Sequence, residues 1–185
     1  MQRVRPADLT LALVGAEAGV TAGALVQRFG SKEHLMRAVN ARFAESTKGM
    51  LDGIRGAASS PLGAIRAYAE CFAGMIQTPA TLAHHLAYLE MDLSDPEMFA
   101  QVSKHQRETR ATMRQWVREA IEAGEIVKRA DANDVARAIL SAVGGSMMAY
   151  VFFREGSARN WLRKDLEIAL APYVTTRKSD DSGRR

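Results

Sequence analysis

Few side chains in this 185-residue sequence could carry out chemistry, and they are not spaced for catalysis or metal binding. Cys71 is the only cysteine, and His84 and His85 are adjacent. Neighbouring residues on a helix point about 100° apart, so these two imidazoles cannot share a metal ion. The sequence has neither a paired nucleophile and base nor a phosphate-binding loop. We therefore expect a binding protein without enzymatic activity, a metal site or a cofactor.

The basic side chains are concentrated near the N-terminus. Residues 1–55 contain eight Lys or Arg against five Asp or Glu, whereas the long middle of the chain is close to neutral. This asymmetry favours a small nucleic-acid-binding unit joined to a neutral body, with chance variation in surface charge as the alternative. A single cysteine and the lack of a long apolar run predict a cytoplasmic protein.

Apolar residues recur with helical spacing along nearly the whole chain, and no segment alternates with a period of two. We therefore predict an all-α fold, with a small N-terminal helical unit followed by a bundle of about five helices. The predicted boundaries are 1–48 for the N-terminal unit, 49–176 for the helical body, and 177–185 for a disordered tail.

The stretch from residue 10 to residue 35 predicts two short helices that cross closely. Thr10 and Thr21 are suited to cap the two helices, and Gly15 and Gly19 provide a small contact and a permissive turn. The second helix would bury Leu25 and Phe29. It would leave an outward face for a DNA groove, formed by Ala22, Gly23, Val26, Gln27 and Arg28.

The segment GVTAGALVQRFGSKEHLMRAV, residues 19–39, resembles the DNA-binding segment of TetR-family transcriptional regulators. The resemblance is specific over about residues 10–45, and beyond them it extends only to the layout of helices. The resemblance implies that residues 1–48 form a helix-turn-helix DNA-binding domain and residues 49–176 a ligand-binding and dimerisation domain. It implies that Thr21 and Ala22 begin the recognition helix and that Gln27 contacts a base or a phosphate. It also implies that Arg28 and Lys32 contact phosphates, with Lys32 at a helix N-terminus already favourable for an anion.

Two features depart from the family pattern. Val26 stands where the family usually has Tyr, which removes one phosphate contact. The family also has a whole helix before the position of Thr10, and we expect that an upstream segment would supply it. Such a helix would cover the apolar residues of the unit, namely Leu11, Val14, Leu25, Phe29, Val39 and Phe43.

The body is rich in methionine and aromatic residues, which adapt to irregular apolar ligands. Ordinary core packing is the alternative explanation for each of them. The predicted ligand-binding residues are Tyr68, Phe72, Met75, His85, Tyr88, Met91, Met113, Trp116 and Met147.

The last two long helices carry apolar stripes, and in the family the equivalent pair forms a four-helix bundle across a twofold axis. We therefore expect a homodimer, with packing inside one chain as the alternative. The predicted interface residues are Ile139, Val143, Met147, Leu162, Leu166, Leu170 and Tyr173.

These observations predict a ligand-responsive DNA-binding regulator. It would be a repressor that a small apolar or aromatic effector releases from a palindromic double-stranded operator. The alternative is a truncated relative that dimerises and binds a small molecule without binding DNA specifically.

Overall fold

The computed structural model describes residues 4–74 and 78–175, which form α-helices joined by short connections. The described residues contain no strand, in agreement with the predicted all-α class. After a short 3-10 turn at Pro6–Asp8, the helices are α1 (Leu11–Ala18), α2 (Ala22–Phe29), α3 (Lys32–Ala57), α4 (Pro61–Phe72), α5 (Pro79–Ser94), α6 (Pro96–Glu122), α7 (Ala132–Phe153) and α8 (Ala158–Leu170).

The helices of the N-terminal unit begin where the sequence predicts. The hydroxyl oxygens of Thr10, Thr21 and Ser31 each accept a hydrogen bond from the backbone N–H three residues later. This satisfies a backbone donor that has no partner within the helix. Pro61, Pro79 and Pro96 occupy the first positions of later helices, where proline costs no hydrogen bond.

Helix α3 joins the N-terminal unit to the body. It runs without interruption from Lys32 to Ala57, so the predicted boundary after residue 48 falls inside a helix. We call α1, α2 and the first turns of α3 the headpiece. The headpiece is therefore continuous with the body through a single helix.

The core of the body lies between α4, α6, α7 and α8. Ile65, Val117 and Val135 are completely buried there. The apolar stripes predicted for the dimer interface face this same core. Their residues are Ile139, Val143, Met147, Leu162, Leu166 and Leu170, each at most 8% exposed.

These side chains contact other parts of their own chain, which corrects their assignment to a contact between subunits. Tyr173 is half-buried beyond α8, and its backbone carbonyl accepts a hydrogen bond from the N–H of Val127 at 2.8 Å. Helix α7 is long and apolar enough to cross a membrane by composition alone, but this buried face makes it a core helix. The predicted tail, 177–185, lies outside the described residues.

A second, smaller apolar cluster lies beneath the headpiece. Leu9, Met36 and Met98 form its buried centre, and Val14 and Met91 pack against it. Because Met98 belongs to α6 and Met91 to α5, this cluster attaches the headpiece to the body.

Candidate nucleic-acid interface

The crossing of α1 and α2 depends on two glycines. A Cβ atom at Gly15 would lie only 2.7 Å from the carbonyl oxygen of Val20, so a larger residue would push the two helices apart. Gly19 ends α1 with φ of 69°, a conformation that side chains disfavour. Both glycines therefore have the roles that the sequence predicts for them.

Helix α2 presents a short outward face. Leu25 is buried and Phe29 half-buried, whereas Gly23, Val26 and Gln27 are exposed. At about 100° per residue, Gln27 lies nearly opposite the inward-facing pair, at the centre of the exposed face. Ala22 is half-buried and Thr21 exposed at the start of the helix.

The two cations predicted to contact phosphates are both close to this face. The exposed Arg28 guanidinium lies 5.5 Å from the centre of the Phe29 ring. Lys32 is half-buried at the start of α3, and its Nζ donates a hydrogen bond to the carbonyl oxygen of Pro6 at 2.9 Å. An ammonium group has three N–H donors, so two remain for another acceptor.

Of the apolar headpiece residues predicted to need cover, Leu25 alone is buried. Leu11, Val14, Phe29 and Val39 are half-buried, and Phe43 is 57% exposed.

Polar contacts that the sequence did not reveal fix the headpiece to the body. Arg37 on α3 pairs with Asp95 at 2.7 Å and with Glu97 at 2.6 Å, at the junction of α5 and α6. One turn later the amide of Asn40 donates to Asp92 at 2.7 Å. We call these contacts the α3–junction clamp.

Asp95 has two functions in the α3–junction clamp. Its Oδ1 accepts hydrogen bonds from the backbone N–H groups of Glu97 and Met98 and so caps α6. Its Oδ2 accepts from Arg37, and that hydrogen bond holds the pKa of the carboxyl below its usual value. Burial raises the pKa of Asp92, although the hydrogen bond from Asn40 favours its charged form.

The structure divides the predicted ligand-binding residues into two groups. Tyr68, Met113, Trp116 and Met147 are buried in the main core, with Phe72 packed against them. Tyr88 and Met91 belong instead to the cluster beneath the headpiece.

Two predicted ligand-binding residues fall in neither group. His85 is exposed on α5, and Met75 lies outside the described residues.

A cleft of about 330 Å³ opens elsewhere, between α3 and α6, and it is lined by none of the predicted ligand-binding residues that the structure describes. Leu51 and Thr109 are its buried lining residues, and Lys48, His105 and Glu108 are among those nearer to solvent. No sequence motif indicates this cleft, because its two walls are more than 50 positions apart in the chain.

Two family models match parts of the sequence. The model of tetR-family bacterial regulatory proteins matches residues 6–39, which include the crossing of α1 and α2. A model described as a tetracyclin repressor-like C-terminal domain matches residues 84–166 of the body. No curated protein matches this chain significantly in sequence.

Solved structures share the whole arrangement at low identity. A TetR regulator from Haloarcula marismortui has a TM-score of 0.75 at 14% identity, over 91% of this chain and 89% of that one. SmeT, the repressor of a Stenotrophomonas maltophilia multidrug efflux pump, has a TM-score of 0.65 at 22% identity, over 92% and 82%. FadR from Bacillus subtilis, in complex with stearoyl-CoA, has a TM-score of 0.69 at 15% identity, over 90% and 89%.

These likenesses agree with the helical fold, and the two family models together account for both its headpiece and its body. The chain belongs to the TetR family of transcriptional regulators.

Proposed function

We propose that this regulator is a homodimeric repressor that reads an operator with α2 and is released from it by a small molecule. The observation that carries the proposal is the exposed, capped α2, whose inward face is fixed by the close crossing at Gly15. A recognition helix can read a groove only when its backbone is held in place.

The outward face of α2 offers one polar side chain for base contact. The amide of Gln27 can pair bidentately with adenine in the major groove. Around it, Gly23, Ala24 and Val26 present small or apolar surface, which suits the methyl group of thymine. We therefore propose a half-site rich in A·T pairs, with Thr21 and Ala22 approaching the backbone where α2 begins.

Arg28 and Lys32 are proposed to position the headpiece by contacting phosphates on either side of the groove. Neither side chain forms an ion pair among the described residues that would neutralise it. The hydrogen bond from Lys32 to Pro6 holds the ammonium group near the start of α3, where the helix dipole also attracts an anion.

For the subunit contact we propose the face of α7 that turns away from the core. Met148 is 43% exposed and Phe152 78% exposed on that face. Gly144 and Gly145 lie on the same face, and a Cβ built at either would meet no side chain or neighbouring helix within 4 Å among the described residues. Exposed large apolar residues beside small ones favour close approach of a second helix. On α8, Ile168 is likewise exposed.

The effector we propose is a small molecule with an apolar or aromatic body. The stearoyl-CoA complex of FadR and the role of SmeT in multidrug efflux are consistent with this class, although both proteins share less than 25% identity with this chain. The proposed repressor role is likewise consistent with SmeT, which is a repressor.

Selection of bound fragments from genomic DNA tests the proposal and identifies the operator. On a selected fragment, Lys32→Ala and Arg28→Ala should each weaken binding to all sequences and lower the salt slope by about one counterion. Gln27→Ala should instead relax preference at one base position and leave the salt slope unchanged. Lys128→Ala, in the connection between α6 and α7, is the control and should change nothing.

Unchanged affinity and salt slope for Lys32→Ala would remove Lys32 from the interface. Failure to select any fragment would favour the alternative, a relative that binds a small molecule without specific DNA binding.

A further inference from the structure

The α3/α6 cleft has the size and the mixed lining of a small-molecule site. Its volume of about 330 Å³ lies at the lower end of the range of roughly 300–1,000 Å³ that such sites occupy. Leu51 is 4% exposed and Thr109 is 6% exposed, so the deepest lining combines one apolar and one polar side chain.

The hydroxyl of Thr109 is buried and has no hydrogen-bond partner within the described part of the chain. Thr47 on α3, which is equally buried, behaves differently, because its hydroxyl donates to the carbonyl oxygen of Phe43 at 2.9 Å. An unpaired buried hydroxyl costs free energy that a bound polar group can recover. Thr109 is therefore placed to form a hydrogen bond with a ligand.

The entrance of the cleft carries one cation, Lys48, and one anion, Glu108. Lys48 is exposed and forms no ion pair with any residue that the structure describes, whereas Glu108 is already near Lys104 at 4.0 Å. His105 lines the same entrance, and its ring contacts Phe43 edge-on at a centroid distance of 6.1 Å. The free ammonium group and the aromatic wall together suit a molecule with one negative group and an apolar body.

We infer that the α3/α6 cleft binds a small carboxylic acid with an apolar or aromatic body and that this acid is the effector. The carboxylate pairs with Lys48 and accepts a hydrogen bond from Thr109, and the apolar body packs against Leu51 and His105. The effector role rests on the function proposed above, whereas binding in the cleft does not.

The cleft lies along the stretch of α3 that joins the headpiece to the body. On one side α3 is held by Arg37 in the α3–junction clamp, and on the other Arg55 pairs with Glu119 of α6 at 2.8 Å. These two contacts are about 27 Å apart on a helix that rises 1.5 Å per residue. The lining residues Lys48 and Leu51 lie between these two contacts, on the helix that carries the headpiece.

The test uses the full chain and 19F NMR of 4-fluorophenylacetate, with 4-fluorophenylacetamide as the neutral match and octanoate as an aliphatic competitor. Wild type should bind the acid roughly three- to fivefold more tightly than the amide, as expected of one exposed ion pair. Lys48→Met should abolish that preference. Thr109→Val should weaken binding of both compounds by roughly three- to tenfold. Lys128→Met is the charge-matched control and should leave both affinities unchanged.

Leu51→Trp should fill the cleft and prevent binding, and its melting curve shows whether it folds. If Leu51→Trp does not fold, Lys48→Met and Thr109→Val still decide the test. Lys48 is exposed, and valine has nearly the same shape as threonine, so both variants should fold. Equal affinity for acid and amide, or no binding of either acid at millimolar concentration, would overturn the inference. So would a preference for the acid that survives Lys48→Met.

DNA binding is measured separately on a selected fragment. Release of that fragment by 4-fluorophenylacetate from wild type, but not from Lys48→Met, is the expected result. An acid that binds the cleft without releasing DNA would overturn its effector role and leave the DNA-binding proposal intact. If wild type binds no DNA even without the acid, that result would instead contradict the proposed function.

Discussion

At the scale of single residues, Gly15 shows how little space the helix crossing leaves. In Gly15→Ala the new methyl group would meet the Val20 carbonyl oxygen, a backbone atom that cannot rotate away. We expect a loss of about 1–3 kcal/mol in headpiece stability, the usual cost of overpacking. Hydrogen exchange of residues 11–29 should become faster while exchange in α7 stays unchanged.

Gly23→Ala is the matched control for that prediction. At Gly23 the nearest atom to an added Cβ is the Thr21 hydroxyl at 3.8 Å, an ordinary contact. Alanine there should stabilise the helix by about 0.5–1 kcal/mol, because glycine loses more backbone entropy on folding. If both variants behave alike, the close crossing is not what holds the headpiece together.

The pKa of Tyr68 shows whether its side chain is packed in the core or lies in a solvated ligand pocket. Burial raises its pKa to about 12 from an ordinary value of 10.0. Since folding favours the neutral phenol, its contribution to stability is constant below about pH 10 and declines as the pH rises towards 12. In a tyrosinate absorbance titration, Tyr68→Phe should remove a late-titrating group. If it removes one that titrates near pH 10, Tyr68 is in contact with water.

At the scale of elements, the α3–junction clamp holds the headpiece against the body. Arg37→Met should free α3 from Asp95 and Glu97 without removing the cap that Asp95 provides for α6. We expect faster hydrogen exchange in the headpiece, weaker DNA binding and little change in the melting of the body. Arg42→Met is the control, because Arg42 pairs only locally with Glu45 on α3.

Acidification should reproduce the effect of Arg37→Met. The pKa of Asp95 is lowered in the folded chain by its hydrogen bond from Arg37. The stabilisation is therefore complete above the unfolded pKa of about 3.8 and is lost as the pH falls through the lower folded value. Headpiece exchange in wild type should approach that of Arg37→Met only below that pH, and a convergence near neutral pH would contradict this assignment.

At the scale of the whole molecule, substitutions on the outer face and on the buried face of the last two helices should have different effects on assembly and folding. Phe152→Glu changes an exposed side chain on the outer face of α7, so we expect a folded monomer in sedimentation equilibrium. Leu166→Glu places a charge where the side chain is 1% exposed, so we expect unfolding at a cost above about 4 kcal/mol. A well-folded dimer in Phe152→Glu would place the subunit contact elsewhere.

The sequence by itself determined the features that depend on near neighbours along the chain. The caps at Thr10 and Thr21 and the turn at Gly19 involve contacts within about four residues. Helical periodicity likewise predicted the all-α class and the inward position of Leu25 on α2. Local contacts of this kind are specified by residue type and spacing, which explains why these predictions were confirmed.

The tertiary structure alone decided the features that join distant segments. Helix α7 is apolar on both sides, so periodicity could not tell which stripe faces its own core, and the stripe assigned to the partner was the buried one. The pairing of Arg37 with Asp95 links residues 58 positions apart, and the α3/α6 cleft is lined by residues of two helices that are distant in sequence. Charges and small polar residues at such separations carry no pattern in sequence, because their partners are chosen by how the helices pack.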